Sequence, residues 1–406
     1  MTGTKPELLS PAGDWSGLKS AVENGADAVF FGVKGINMRH SARNFDRLEI
    51  PKVLSYLHEN GRRGYLTLNT IVTDDDLETI AGILEIAKAS DVDAVILWDM
   101  AVLSLCRERG IPVHISTQAS LANIRAVEFY AGLGATRIVL ARECDLGMIR
   151  GIIAEVKARG IGCEIETFIH GAMCVSISGR CFMSHEAFGL SANRGQCLQP
   201  CRREYVITDK NGEAEYVLGE DYVLSPKDLC TVDFIERLIE AGIASFKIEG
   251  RIRPPEYVAV VTRVYREAID AYFDGALTGA MKTDFKERLS SVYNRGFSAG
   301  FYFGRPGTES LGHELEQTRQ KVYLGEVRKF YRKIGVADIA IRNDVLNRGD
   351  EVLISGATTP AGFAVVDEIE LERRPVDRAE RGQFVGIKWP FAVRPRDKVF
   401  LWKKKT

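Results

Sequence analysis

Cys174, Cys181, Cys197 and Cys201 fall within 28 residues of a 406-residue chain that has eight cysteines in all. Their spacing is Cys-x6-Cys-x15-Cys-x3-Cys. Four thiolates hold either one tetrahedral zinc ion or an iron–sulfur cluster. Structural zinc sites pair cysteines about two to four residues apart, and only the last pair here is that close. The wide first pair suits a 4Fe–4S cube better, with zinc, or buried and redox-active thiols, as alternatives. Arg180, Arg194, Arg202 and Arg203 flank the thiols. Positive charge there raises the potential of an anionic cluster and equally suits RNA phosphates. Of the other cysteines, Cys106 and Cys163 lie in apolar patterns that read as core, Cys144 is isolated, and Cys230 is the one plausible spare ligand.

A second set of reactive side chains emerges when strands are read by alternation, since every other residue faces the same side. Tyr65, Thr67 and Asn69 share one face, as do His114, Ser116 and Gln118. Glu164, Glu166, Phe168 and His170 form a third such row, and Lys247, Glu249 and Arg251 a fourth. Buried charge is costly unless paired, so this lining reads as a ligand site, with an internal salt-bridge network as the alternative. Arg142, Lys247 and Arg251 are expected to hold a small anionic metabolite, because guanidinium forks match carboxylates in two-point geometry. Gln118 and Arg180 are further substrate-binding candidates. Glu166, His170, Lys247 and Glu249 are the candidates for pairing charge or moving protons.

The elements that must position these groups repeat. Short apolar runs start at Glu7, Ala28, Gly64, Ala94, Val113, Arg137, Cys163 and Ser245, with amphipathic stretches such as "DDDLETIAGILEIAKAS" between them. Eight such β-then-α units predict a closed (βα)8 barrel, a TIM-like α/β fold, with an open doubly wound sheet as the alternative. Successive runs are closely spaced until the last pair, where 82 residues separate Cys163 from Ser245. The cysteine segment fills that gap. It follows the seventh strand directly, so the thiols should sit over the C-terminal mouth, where barrel enzymes work. The expected organisation is a barrel over 1–295 with the insertion at 171–244, a linker over 296–320, and a small all-β barrel over 321–406. A hairpin is expected around "DKNGE" and a strong helix from Pro254.

Hydrophobic residues make up 45% and charged residues 27%, as in an ordinary globular protein, and net charge is −1. The charge is uneven. Residues 321–406 carry 18 Lys/Arg against 12 Asp/Glu, which hints at a polyanionic partner for that module. No long apolar run or signal-like N-terminus is present, so a cytoplasmic protein with reduced thiols and no membrane partner is expected. A homodimer is left open.

"PELLSPAGD", "NGADAVFFG", "HISTQAS", "RIVLARE", "IETFIHGAMCVSISGRC", "RGQCLQPCRREY", "SPKDL" and "SFKIEGR" together resemble the collagenase-like peptidase family U32 over nearly the whole chain. The sequence is most similar to the branch concerned with tRNA hydroxylation, which makes 5-hydroxyuridine at the wobble position. That resemblance implies a 4Fe–4S cluster on Cys174, Cys181, Cys197 and Cys201, tRNA as partner, and O2-independent hydroxylation with prephenate as co-substrate. Other branches hydroxylate ribosomal RNA or quinone precursors, and older members carry the name of proteases. Proteolysis needs a nucleophile–base pair or a metal-activated water. The chain has no His-Glu-x-x-His, no Gly-x-Ser-x-Gly elbow is expected, and its six histidines are scattered, which leaves a triad assembled across the fold as the alternative. The C-terminal pattern resembles the second domain of translation elongation factors, and with Lys403–Lys405 it is expected to dock tRNA.

Overall fold

The structure, a computed structural model, describes residues 4–39, 42–176, 180–202, 207–208, 215–216, 226–306 and 316–405. Eight strands close a parallel barrel: β1 (Glu7–Ala12), β2 (Ala28–Gly32), β3 (Arg63–Leu68), β4 (Ala94–Leu97), β5 (Val113–Ile115), β6 (Ala135–Val139), β7 (Glu164–Gly171) and β8 (Ser245–Ile248). Each pairs with the next, and β8 pairs with both β7 and β1, so the ring has no free edge. The eight predicted runs are the eight strands.

Helices α1 (Trp15–Glu23), α2 (Ile50–Glu59), α3 (Asp74–Ala89), α4 (Met100–Glu108), α5 (Ile124–Gly132) and α6 (Leu146–Ala158) follow the first six strands in turn. Their starts are set by side chains that satisfy otherwise orphaned amides: Asp14 accepts from Gly17 N at 2.9 Å, Asn123 from Ala126 N at 3.0 Å and Asp145 from Met148 N at 2.8 Å. Apolar faces of strands and helices meet in one continuous core outside the ring. Inside it, a small plug of Leu9, Ala28, Phe30, Tyr65, Ala94 and Ile96 fills one layer.

After β7 the chain leaves for the insertion, whose first α-helix among the described residues is α7 (Met183–Phe188). It returns through Asp228–Cys230, antiparallel to the end of β7, and α8 (Ile235–Glu240). Beyond β8 come α9 (Pro255–Phe273), the predicted proline-led helix, and α10 (Gly279–Ser290). The turn of the predicted hairpin at 209–213 lies outside the described residues; its flanks, Ile207–Thr208 and Glu215–Tyr216, pair antiparallel as expected. His40, Arg203 and His313 also lie outside them.

The C-terminal module is antiparallel, and its sheet is a half-barrel rather than a closed barrel. Five of its strands are β9 (Arg319–Tyr331), β10 (Val336–Ile341), β11 (Glu351–Ser355), β12 (Phe384–Lys388) and β13 (Lys398–Lys404). Eight strands form the sheet, and its two outermost, Gly362–Val365 and Arg374–Val376, do not pair with each other. The module starts two residues before the expected boundary, and Phe297–Ser298 of the expected linker pairs with Asp228–Leu229. It has its own core, yet Leu353, Ala361 and Trp402 pack into the core of the first domain. Ser16 Oγ donates to Thr359 O at 2.9 Å, and Ala361 N to Ser20 Oγ at 3.0 Å. No helix of the described residues is long and apolar enough to cross a membrane.

Candidate active site at the barrel mouth

Two charged layers lie inside the barrel. In the lower one, Glu166 is 0% exposed and accepts from Lys247 Nζ at 2.8 Å, Ser245 Oγ at 2.9 Å and Arg137 Nη1 at 3.3 Å. Arg137 also reaches Glu7 at 2.5 Å and Glu164 at 2.6 Å, while Tyr65 Oη donates to Glu7 at 2.8 Å. Burial alone would raise the Glu166 carboxyl, but Lys247 and Arg137 hold it below its ordinary value. This is the internal ion network weighed above as the alternative to a ligand site. Glu166, proposed from sequence as catalytic, is its hub. His114 packs edge-on to Tyr65 at 4.6 Å, and burial, then Arg137 and Lys247, keep it neutral.

The upper layer lines a cavity of about 50 Å³, space for a few water molecules, which Lys247 enters from below. Four predicted residues meet there with it: Gln118, Arg142, Glu249 and Arg251. Arg251, 4% exposed, donates to the neutral Thr67 Oγ1 at 2.7 Å. Arg142 donates to Ala172 O at 2.8 Å and lies over the Phe168 ring at 4.1 Å; its buried Nε has no hydrogen-bond partner. Among the described residues neither guanidinium has a carboxylate within ion-pair distance. Burial disfavours the charge of both and Arg39 adds to this, while Glu249 opposes it at each, ahead of Arg39 at Arg142 and behind it at Arg251. Across the cavity, Asn69 Nδ2 donates to Gln118 Oε1 at 3.1 Å, and Ser116 also donates to that oxygen.

Glu249 is taken by Arg39, whose Nε donates to Oε1 at 2.9 Å. Burial raises the Glu249 carboxyl, but Arg39 and Arg142 outweigh it and bring it to about 2. Sequence reading missed Arg39. The signal was available: "NMRHSARN" follows β2, so its arginines had to fall at the mouth.

His170 does not join the site. β8 pairs Lys247 with Phe168 but Ile248 with His170, so β7 carries one extra residue at this point. The bulge breaks the alternation and turns His170 outward, against Tyr257, Tyr265 and Phe297 at 5.5–6.0 Å between ring centres. Its Nδ1 lies 3.3 Å from Tyr265 Oη, and burial pushes it down to about 3. Cys230 is also on that side, 3.8 Å from Tyr265 Oη, with burial raising its thiol to about 11. It is buried, whereas the other four thiols are partly exposed.

The thiol segment docks on the rim. Arg194 grips Asp76 at 2.6 and 3.2 Å and the Ile71 carbonyl at 2.6 Å; Thr70 Oγ1 donates to Asn193 O at 3.1 Å. Gly195 rests on the β2 loop so closely that a Cβ would sit 2.1 Å from Asn37 O. Arg180 donates to Gln118 O at 2.6 Å and lies over Trp98 at 4.9 Å. Ser184 Oγ links Gln196 O at 3.2 Å with Leu198 N at 3.1 Å and so ties the two halves of the segment together. Cys174, Cys181, Cys197 and Cys201 are all partly exposed, and none is in a disulfide. Backbone amides point at two sulfurs, Ser176 N to Cys174 at 3.5 Å and Met183 N to Cys181 at 3.3 Å. Arg39 is within electrostatic reach of Cys174 and Cys197. The donor set and its cationic surroundings fit a thiolate-held group in kind. Among the described residues, however, no three Cys, His, Asp or Glu side chains converge on a single metal-ion position.

The sequence does contain one Gly-x-Ser-x-Gly string, Gly296–Gly300. It lies on the short strand beside Asp228–Leu229, not at a strand-to-helix elbow, and Ser298 Oγ accepts from Gly300 N at 3.3 Å.

Comparison with known proteins adds three kinds of name. The family model described as "Peptidase family U32" matches residues 13–312. An uncharacterized protease of Methanocaldococcus jannaschii is 41% identical over 98% of both chains, and a collagenase of Porphyromonas gingivalis is 38% identical over 98% of both. A protein named tRNA hydroxylation protein P1, from Bacillus subtilis, is 36% identical over 87% of this chain and 84% of its own.

Proposed function

The chain belongs to the peptidase family U32, and on that premise we propose that it is an iron–sulfur enzyme that hydroxylates RNA. The specific reading is tRNA wobble uridine converted to 5-hydroxyuridine without O2, with prephenate as co-substrate. One observation carries it. Arg251 is buried and Arg142 partly buried, neither has a carboxylate within ion-pair distance among the described residues, and both line one cavity beneath a docked segment bearing four thiols. Two guanidiniums that share only the carboxylate of Glu249, itself held by Arg39, favour a further anion, and two of them match a dicarboxylate. The name of the Bacillus subtilis relative supports an RNA substrate.

Cys174, Cys181, Cys197 and Cys201 would hold the cluster, which when bound would supply one-electron chemistry or a Lewis-acidic iron at the mouth. The chain's own residues do the rest. Arg142 and Arg251 bind the anion, and Lys247 supports it from below. Glu249 stays ionised and fixes Arg39 at the rim. Asn69, Ser116 and Gln118 present a hydrogen-bonding wall to a base edge. The cavity of about 50 Å³ is smaller than a ring-bearing dicarboxylate, so its walls must move apart to admit one.

A second reading, proteolysis, follows the names of the Methanocaldococcus and Porphyromonas relatives. The two readings separate in one experiment. Arg251→Met and wild type are prepared anaerobically, assayed for iron and sulfide, and used to complement a deletion strain. Arg251→Met should keep wild-type iron and sulfide and lose at least about 95% of 5-hydroxyuridine in total tRNA. Unchanged product removes Arg251 from the reaction. Collagen or peptide cleavage by the wild type, with 5-hydroxyuridine independent of it, transfers the assignment to the peptidase.

A further inference from the structure

A second depression opens off the mouth. It has a volume of about 680 Å³ and runs between the loops after β1, β2 and β8 and the β9–β13 face of the C-terminal module. Arg251 borders both this cleft and the reaction cavity, so the two are neighbours.

The cleft is cationic. Arg43, Arg253, Lys321, Arg396 and Lys398 line it with Arg251, against two carboxylates, Asp14 and Glu256. Both carboxylates are engaged already. Asp14 caps α1 and accepts from Arg43 Nη1 at 3.3 Å, and Glu256 takes Lys321 Nζ at 2.7 Å. Lys398 reaches Glu326 at 2.5 Å with half its side chain exposed. Arg396 is exposed and makes no ion pair among the described residues. Arg253 stacks 3.6 Å over Tyr293, and its buried Nη2 has no hydrogen-bond partner. The cations that an anion can reach from solvent are the exposed Arg43, Arg396 and Lys398. Phe400 and the half-exposed Ile252 add apolar surface to the walls.

We propose that this cleft carries the phosphodiester backbone of the RNA strand that delivers its nucleotide to the mouth. The proposal rests on the RNA reading above. A cavity the size of a few waters admits no duplex, so the reacting base must be turned out of its strand while flanking phosphates stay outside. The cleft offers cations for those phosphates on the far side of Arg251. It also assigns docking to a different face from Lys404 and Lys405, which line a separate hollow between α9, α10 and the C-terminal sheet.

The test uses the full chain and a 17-nucleotide anticodon stem-loop RNA, with binding measured from about 50 to 300 mM salt. Arg43→Glu/Arg396→Glu/Lys398→Glu should weaken binding at least about 30-fold near 100 mM salt. The slope of log affinity against log salt should flatten by about two to three, close to one for each phosphate no longer neutralised. Lys404→Glu/Lys405→Glu should stay within about twofold of wild type. The single Arg396→Ala, which alters no ion pair among the described residues, should flatten the slope by about one and guards against a misfolded triple variant. Unchanged binding by the triple and single variants overturns the cleft, as does equal weakening in the lysine variant. A wild type that binds no RNA overturns the RNA reading itself.

Discussion

Glu166→Gln separates a structural hub from a catalytic acid. The substitution preserves shape but leaves Lys247, 5% exposed, as a buried ammonium without the carboxylate it pairs with. Arg137 suffers less, because Glu7 and Glu164 remain at 2.5 and 2.6 Å. Removing one partner of such a buried pair costs about 3–5 kcal/mol, and replacing both with apolar or neutral groups of similar volume is close to neutral. Glu166→Gln should therefore destabilise the barrel by about 3–5 kcal/mol. Glu166→Gln/Lys247→Met should retain a loss of only about 1 kcal/mol, a recovery of about 2–4 kcal/mol over the single variant. Urea unfolding of anaerobic protein, followed by tryptophan fluorescence and far-ultraviolet dichroism together, measures both numbers. A single variant within about 1 kcal/mol of wild type, with no rescue by the second substitution, refutes the network. Should that stable variant also fail to make product, Glu166 returns to the chemistry.

His170 makes stability depend on pH. It is neutral in the fold with a pKa near 3, whereas an unfolded histidine titrates near about 6.5. Below about 6.5 the unfolded chain takes up a proton the native site refuses, so stability falls with falling pH down to about 3, by up to about 1.4 kcal/mol per unit. His170→Phe should remove that slope relative to wild type and leave modification intact; parallel pH profiles would sink the assignment. Arg194→Ala removes the clamp on Asp76 and the Ile71 carbonyl. This half-exposed pair should move global stability by no more than about 1 kcal/mol, yet speed tryptic cleavage within 180–202 several-fold and lower iron retention. Wild-type proteolysis and iron content would show the clamp to be dispensable.

Much of the site was legible because it follows from local periodicity. Alternation placed Thr67, Asn69, Ser116, Gln118, Glu166, Phe168, Lys247, Glu249 and Arg251 on the inward side, and all are buried or border the cavity. Cys106 and Cys163 are core, as their apolar surroundings implied. What alternation cannot register is an inserted residue, and at Ile169 one insertion moved His170 to the opposite side of the sheet. Nor does periodicity say at what depth a charge sits. Glu166 and Glu249 belong to the same pattern, yet the first is locked beneath the cavity and the second stands at its wall.

The sequence alone determined the number and order of the strands, the position of the thiol segment after the seventh, and the basic character of the C-terminal module. Each of these is written in neighbouring residues: apolar period, turn chemistry, spacing and composition. The tertiary structure alone decided who meets whom. Arg39 reaches Glu249 across 210 positions, Arg137 reaches Glu7 across 130, and the β2 and β8 loops come to face the C-terminal sheet. Those meetings depend on how a tilted ring closes on itself, and ring closure is a property of all eight strands together that no short stretch encodes.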